Sequence, residues 1–156
     1  MPTEIERKFL VDHEKWAAVA KPDGKDYEQG YILSEEKRTV RIRVTGDAAF
    51  LTLKGPSAGI SRSEYEYRIP VAEGAEILDS FAVSGIQKTR YNVEVAGHTW
   101  EVDVFAGENS GLIVAEIELQ HEDETFEKPD WIGREVSTDT RYTNAALSVY
   151  PYNTWK

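Results

Sequence analysis

Alternation of period two dominates this chain, and the alternating property is charge. In Glu4-Ile5-Glu6-Arg7-Lys8, Arg41-Ile42-Arg43 and Glu116-Ile117-Glu118, ionisable residues stand at every second position. A β-strand sends residues i, i+2 and i+4 to one face, so each segment presents a row of charge on one side. The same period runs through eight candidate strands: Thr3–Val11, Asp26–Leu33, Arg38–Thr45, Ala49–Lys54, Ser61–Ile69, Gly85–Val95, His98–Phe105 and Leu112–Gln120. All are rich in β-branched or aromatic residues. Gly46-Asp47, Gly55-Pro56, Ala96-Gly97 and the stretch from Gly107 to Gly111 break the pattern at hairpin length. Strands linked so closely predict an antiparallel sheet that closes or nearly closes on itself, because closure removes exposed edges.

Helical spacing appears at His13–Ala20, Ala72–Ala82 and Asp139–Val149, and Glu122–Pro129 reads as one long loop. The expected fold class is α+β: a predominantly antiparallel eight-stranded β-barrel with a few covering helices and a C-terminal helix. With 156 residues the chain suits one domain with a substantial core, taken as residues 1–156.

Sorting alternate residues divides the strands into two unlike faces. One holds Glu4, Glu6, Lys8, Arg41, Arg43, Thr52, Lys54, Glu64, Glu66, Lys88, Arg90, Glu101, Asp103, Glu116 and Glu118. The other holds Ile5, Phe9, Ile42, Leu51, Leu53, Tyr65, Tyr91, Trp100, Val102 and Ile117. Either the apolar face covers an ordinary core and the charges meet water, or the barrel is inverted, with charges lining its lumen and helices covering the apolar outside. Eight strands leave room inside for side chains or one small ligand.

Magnitudes bear on that choice. Carboxylates at i and i+2 lie about 6–7 Å apart, and at an effective dielectric near 20 they repel by roughly 2.5 kcal/mol. Open water tolerates such a pair, whereas a confined lumen demands a counter-charge. Hard divalent cations with oxygen ligands supply one, and a ligand set without Cys or His points to Mg2+ or Mn2+. The opposing cluster of Arg41, Arg43, Lys54, Lys88 and Arg90 needs an anion with many oxygens, and phosphate groups fit arginine forks and lysine point charges.

Composition excludes other classes. A net charge of -10 argues against a nucleic-acid partner. Without cysteine there is no thiolate nucleophile, disulfide framework or Cys-based zinc site, and His13, His98 and His121 show no metal-ligand spacing. No apolar run approaches the length of a leader or a membrane span, so the cytoplasm is the expected location and no membrane partner is expected.

Together these residues resemble the CYTH superfamily, the triphosphate tunnel metalloenzymes, whose N-terminal signature ExExK stands here as Glu4-Ile5-Glu6-Arg7-Lys8. The resemblance continues in family order through Val40-Arg41-Ile42-Arg43, Thr52-Leu53-Lys54, Glu64-Tyr65-Glu66, Lys88-Thr89-Arg90-Tyr91, Glu101-Val102-Asp103 and Ala115-Glu116-Ile117-Glu118. The tail around Gly133-Arg134-Glu135-Val136-Ser137 also looks like the family's, with Asn144–Val149 as a helix against one tunnel mouth. Alone, Glu4-Glu6-Lys8 reads as easily as a solvated strand face; seven segments in order do not.

The resemblance implies a tunnel that holds triphosphate on inward basic residues and metal on inward carboxylates. Carried over, Glu4, Glu6, Glu116 and Glu118 are the metal ligands, with Glu64, Glu66 and Asp103 available to a second ion. Lys8, Arg41, Arg43, Lys54 and Arg90 bind the triphosphate. Lys88 either binds phosphate or assists the attacking water, and Glu64 and Glu66 join it in the expected catalytic group. The expected activity is metal-dependent hydrolysis of inorganic triphosphate by a monomer or homodimer. Nucleoside or thiamine triphosphate hydrolysis and a non-catalytic polyphosphate-binding module are the alternatives. A class IV adenylate cyclase fits less well, since only three residues precede Glu4.

Overall fold

The computed structural model describes residues 2–155. Period-two alternation resolves into β1 (Thr3–Val11), β2 (Lys25–Ser34), β3 (Thr39–Thr45), β4 (Ala48–Ala58), β5 (Ser61–Ile69), β6 (Ser84–Val95), β7 (His98–Phe105), β8 (Ile113–Glu118) and β9 (Ile132–Glu135). Antiparallel neighbours follow the order β5-β4-β3-β2-β6-β7-β8-β1, and β1 pairs back onto β5 through Glu4 and Arg62, which closes the expected eight-stranded barrel. β1 is long enough to serve two partners on one edge. Thr3 to Ile5 meet β5, while Phe9 and Val11 meet Glu135 and Ile132 of β9.

β9 was not expected, because Ile132-Gly133-Arg134-Glu135 carries one apolar residue and no alternation. An ion pair docks it: the Arg7 guanidinium donates to both Glu135 oxygens, at 2.9 and 2.6 Å. β4 also runs beyond its expected end at Gly55-Pro56, since a register shift between Lys54 and Ser57 absorbs the proline and pairing resumes with Arg62 and Ser61. The β6–β7 hairpin turns at Ala96 (φ 50°) and Gly97 (φ 84°), both in the left-handed region that a two-residue hairpin of the primed type requires.

Three helices cover the barrel. Asp12 caps α1 (His13–Ala17), its carboxylate accepting from the Lys15 N–H at 3.0 Å. α2 (Val71–Phe81) lies across β2, β3 and β4, with Gly74 pressed so close to Ala49 that a side chain would collide. The expected Asp139–Val149 helix is interrupted. A single turn at Thr140–Tyr142 ends at extended Thr143, whose hydroxyl accepts from Ala146 N–H at 3.1 Å and starts α3 (Asn144–Val149).

Apolar side chains form two bodies. Outside the barrel, Phe9, Trp100, Val102 and Ile117 pack beneath Trp16 and Trp131, with Phe9 and Trp100 edge to face at 5.6 Å. Inside, one end of the lumen is apolar. Ile86, Phe105 and Val114, each two residues from Lys88, Asp103 and Glu116 on the same strand face, gather with Leu112, Val136, Tyr142 and Leu147. The C-terminal segment therefore floors the barrel at one end, and the charged rows rise from that floor.

Candidate active site: a charged barrel interior

Of the two possible senses of the sheet, the barrel is inverted: its charged face is the lumen. Strand register sets the charged residues side by side around it: Lys8 opposite Glu116, Glu6 opposite Glu118, Glu116 opposite Glu101, Arg90 opposite Asp103, and Lys54 opposite Glu64. Glu4, Arg41, Lys88, Arg90, Asp103 and Glu116 are buried, which a solvated strand face would not be.

The basic wall is organised by carboxylates. Arg90 donates to Asp103 through Nε at 2.7 Å and Nη2 at 2.9 Å, and reaches Glu101 at 3.1 Å. Lys88 donates to the same Asp103 at 2.7 Å. Lys54 bridges Glu4 at 3.1 Å and Glu64 at 3.4 Å. Arg41 and Arg43 share Glu66 at 3.5 and 3.4 Å, and Lys8 lies 3.6 Å from Glu116.

Two contributors were absent from the expected site. Thr52 accepts from Arg41 at 3.2 Å and donates to Glu66 at 3.0 Å. The Tyr27 ring lies beneath both Arg43 and Arg90, 5.1 Å from each guanidinium carbon. Thr52 sits on the charged face by alternation, whereas the place of Tyr27 follows only from its β6 pairing with Lys88.

The electrostatics split the carboxylates into two kinds. Burial opposes ionisation of Glu116, but Lys8, Arg90 and Lys88 outweigh it and hold its carboxyl far below the usual range. Burial likewise opposes Asp103, and Lys88 and Arg90 keep it ionised. Glu4 and Glu6 go the other way. Burial raises both, and neighbouring carboxylates add to it: Glu64 and Glu116 for Glu4, Glu116 and Glu4 for Glu6. Burial also raises Glu101 and Glu118. Burial pushes the Lys88 ammonium down to about 8, against the pull of Asp103.

Among the described residues, no three carboxylates stand as a preformed cation cage. The donor set nevertheless suits a hard divalent ion. It is all oxygen, and Glu4, Glu6 and Glu118 are carboxylates whose own proximity and burial raise their proton affinity, a cost that a dication relieves.

A family model described as the CYTH domain matches residues 2–148. The chain belongs to the CYTH family. It is 51% identical to an inorganic triphosphatase of Acetivibrio thermocellus over 100% of this chain and 99% of that protein, and 38% identical to one of Nitrosomonas europaea over 94% and 97%. A crystal structure of an inorganic triphosphatase, 35% identical, superposes with a TM-score of 0.64 over 96% of both chains. A Bacillus halodurans structure at 18% identity shares the fold at TM-score 0.64, covering 79% of this chain and 84% of that one.

The CYTH barrel brings all the expected site residues onto its inner face, though in unequal settings. Lys8, Arg41, Arg43, Lys54, Lys88 and Arg90 form the basic wall, and Glu4, Glu6 and Glu116 stand beside it. Glu118 is more exposed. Glu64 and Glu66 hold Lys54 and the arginine pair. Asp103, expected near a second ion, has both oxygens filled by Arg90 and Lys88. A cavity of about 660 Å3 bordered by α2 and the Gly107–Asn109 turn contains none of these groups. Among the described residues, no helix is long and apolar enough to cross a membrane.

Proposed function

We propose that this protein hydrolyses inorganic triphosphate to diphosphate and orthophosphate inside its barrel, with Mg2+ or Mn2+. The observation that carries the reading is the coexistence, in one buried lumen, of a guanidinium and ammonium wall with carboxylates driven toward protonation by burial and by one another. A polyanion answers the wall and a dication answers the carboxylates. Two relatives named inorganic triphosphatase match along essentially their whole length, which supports the substrate.

Glu4, Glu6, Glu116 and Glu118 would hold the ion. When bound, it supplies Lewis-acid polarisation of phosphoryl oxygens and neutralises developing charge. Arg41, Arg43 and Arg90 grip nonbridging oxygens, and Lys8 and Lys54 add point charges. Asp103 is a positioning residue in this scheme, because it spends both oxygens aiming Arg90 and Lys88. Glu66 and Glu64 orient Arg41, Arg43 and Lys54 in the same way. Lys88, kept cationic at neutral pH, donates to phosphate and stabilises charge on the departing diphosphate. One water is consumed: it attacks the terminal phosphorus, the anhydride P–O bond breaks, and diphosphate leaves through the one unfloored end.

Purified protein incubated with triphosphate, ATP, thiamine triphosphate or diphosphate, with Mg2+ or Mn2+ and then EDTA, tests this directly. Expected is orthophosphate release from triphosphate above all others, abolished by EDTA. Faster release from ATP or thiamine triphosphate would reassign the substrate. Absence of turnover together with a triphosphate-dependent rise in Tm would leave a binding module.

A further inference from the structure

Three buried polar groups on the barrel's inner face have no hydrogen-bond partner among the described residues: the side-chain amide of Gln29, at both nitrogen and oxygen, and the Nε–H groups of Arg41 and Arg43. Gln29 is only 1% exposed. Its orientation follows from its neighbours on β2. Tyr27 lies under the lumenal Arg43 and Arg90, and Tyr31 borders the small cavity it shares with Lys8 and Arg41. Gly30, between them, faces outward beneath Leu78 and Ala82 of α2. Alternation therefore turns Gln29 inward with the two tyrosines. Across the ladder it stands opposite Arg43 on β3 and Ile86 on β6, and Ile86 belongs to the apolar floor.

An amide sealed from water without partners is destabilising, and an apolar side chain of the same length would fill the space without that penalty. Folding gives no reason for glutamine here. Its N–H2 beside two unpaired guanidinium N–H groups is a row of donors lacking an acceptor, which an oxyanion supplies. A neutral donor also suits this position better than a third cation would, since burial and the nearby Arg41 already weaken the hold of Arg43 on its proton.

We infer that Gln29 is a substrate-binding residue whose Nε2 donates to an oxygen of the innermost phosphoryl group, beside Arg41 and Arg43, while Oε1 accepts from a water or phosphate hydroxyl. The inference rests on the triphosphatase reading above.

Gln29→Met keeps the length and removes the hydrogen bonds. Loss of one hydrogen bond to a charged group corresponds to about a 10- to 100-fold fall in kcat/KM for triphosphate. The Tm of the ligand-free variant should equal or exceed that of the parent protein, an outcome that a structural role for the amide would reverse. A Tm clearly lowered with kcat/KM within about threefold of the parent overturns the proposal. The second measurement needs no variant: triphosphate added without metal should shift the Gln29 side-chain amide resonance of the parent protein, and an unmoved resonance also overturns it. If the parent protein releases no orthophosphate, the triphosphatase reading fails by itself. The Gln29 proposal is then read from Tm: it stands if triphosphate stabilises the parent protein more than the Gln29→Met variant, and falls if the two respond alike or neither responds.

Discussion

Arg90 and Asp103 face each other across the β6–β7 ladder and form a two-point fork, Nε to Oδ1 at 2.7 Å and Nη2 to Oδ2 at 2.9 Å, that is almost wholly excluded from solvent. Lys88 completes the group from two residues away, 2.7 Å from Oδ2. Arg90 also reaches Glu101 at 3.1 Å, so the two cations are balanced by two carboxylates and stand in the lumen as a paired, preoriented group.

Removing the shared acceptor exposes the dependence. Asp103→Ala removes the ion-pair partner of buried Lys88 and leaves Arg90 with Glu101 alone, and loss of one member of a buried ionic group costs about 3–5 kcal/mol. Urea denaturation should show that loss, and triphosphate turnover should collapse with it. A variant of unchanged stability would mean that water reaches Lys88 and Arg90 in the folded barrel.

Lys88 makes activity and stability depend on pH in opposite senses. Its folded pKa of about 8 lies below the ordinary 10.5, so between these values the unfolded chain holds the extra proton. This group's contribution to stability is therefore complete above 10.5 and is lost as pH falls through about 8. In the proposed role Lys88 binds phosphate as the ammonium, and kcat/KM should then fall as pH rises through about 8. Comparing pH profiles of the parent protein and Lys88→Met isolates both effects. A rate that rises through the same window would make Lys88 a proton acceptor for the attacking water.

Glu6 carries the opposite linkage. Burial and the neighbouring Glu116 and Glu4 raise its folded pKa well above 4.5, so its favourable contribution is present below 4.5 and lost as pH rises through the folded value. At neutral pH without metal, Glu6→Gln should raise Tm by removing a destabilising buried charge, and the gain should shrink on acidification. Added Mg2+ or Mn2+ should stabilise the parent protein more than the variant, and turnover should fall in the variant. An equal response to metal in both proteins would remove Glu6 from the ion's ligands.

The floor can be tested apart from the chemistry. Leu147 is fully buried among Ile86, Phe105, Leu112 and Tyr142, and Leu147→Ala should cost about 2–5 kcal/mol of stability. Thermal and urea unfolding measure it directly. A loss below about 1 kcal/mol would indicate that α3 detaches readily from the barrel.

Much of this protein is legible in one dimension because side chains on a strand alternate strictly. Residue parity alone puts Glu4, Glu6 and Lys8 on one face and Ile5 and Phe9 on the other, and the order of seven such segments carries the family resemblance. Parity says nothing about which face is the inside. That was decided by β1 meeting β5 through Glu4 and Arg62, a contact between distant parts of the chain, and by helices and aromatic side chains covering the apolar face.

Partnership within the lumen is likewise a property of register and tilt, which local pattern does not encode. Asp103 looks like any other inward carboxylate in the sequence, yet the ladder sets it between two cations. Gln29 looks like an ordinary polar residue of β2, yet closure leaves its amide buried and unpaired. β9 escapes the pattern because four residues with one apolar member have no period to detect; only the edge of β1 and the fork between Arg7 and Glu135 make them a strand. The alternating charges therefore specify a two-faced sheet, and closure of that sheet turns one face into a confined, charged lumen.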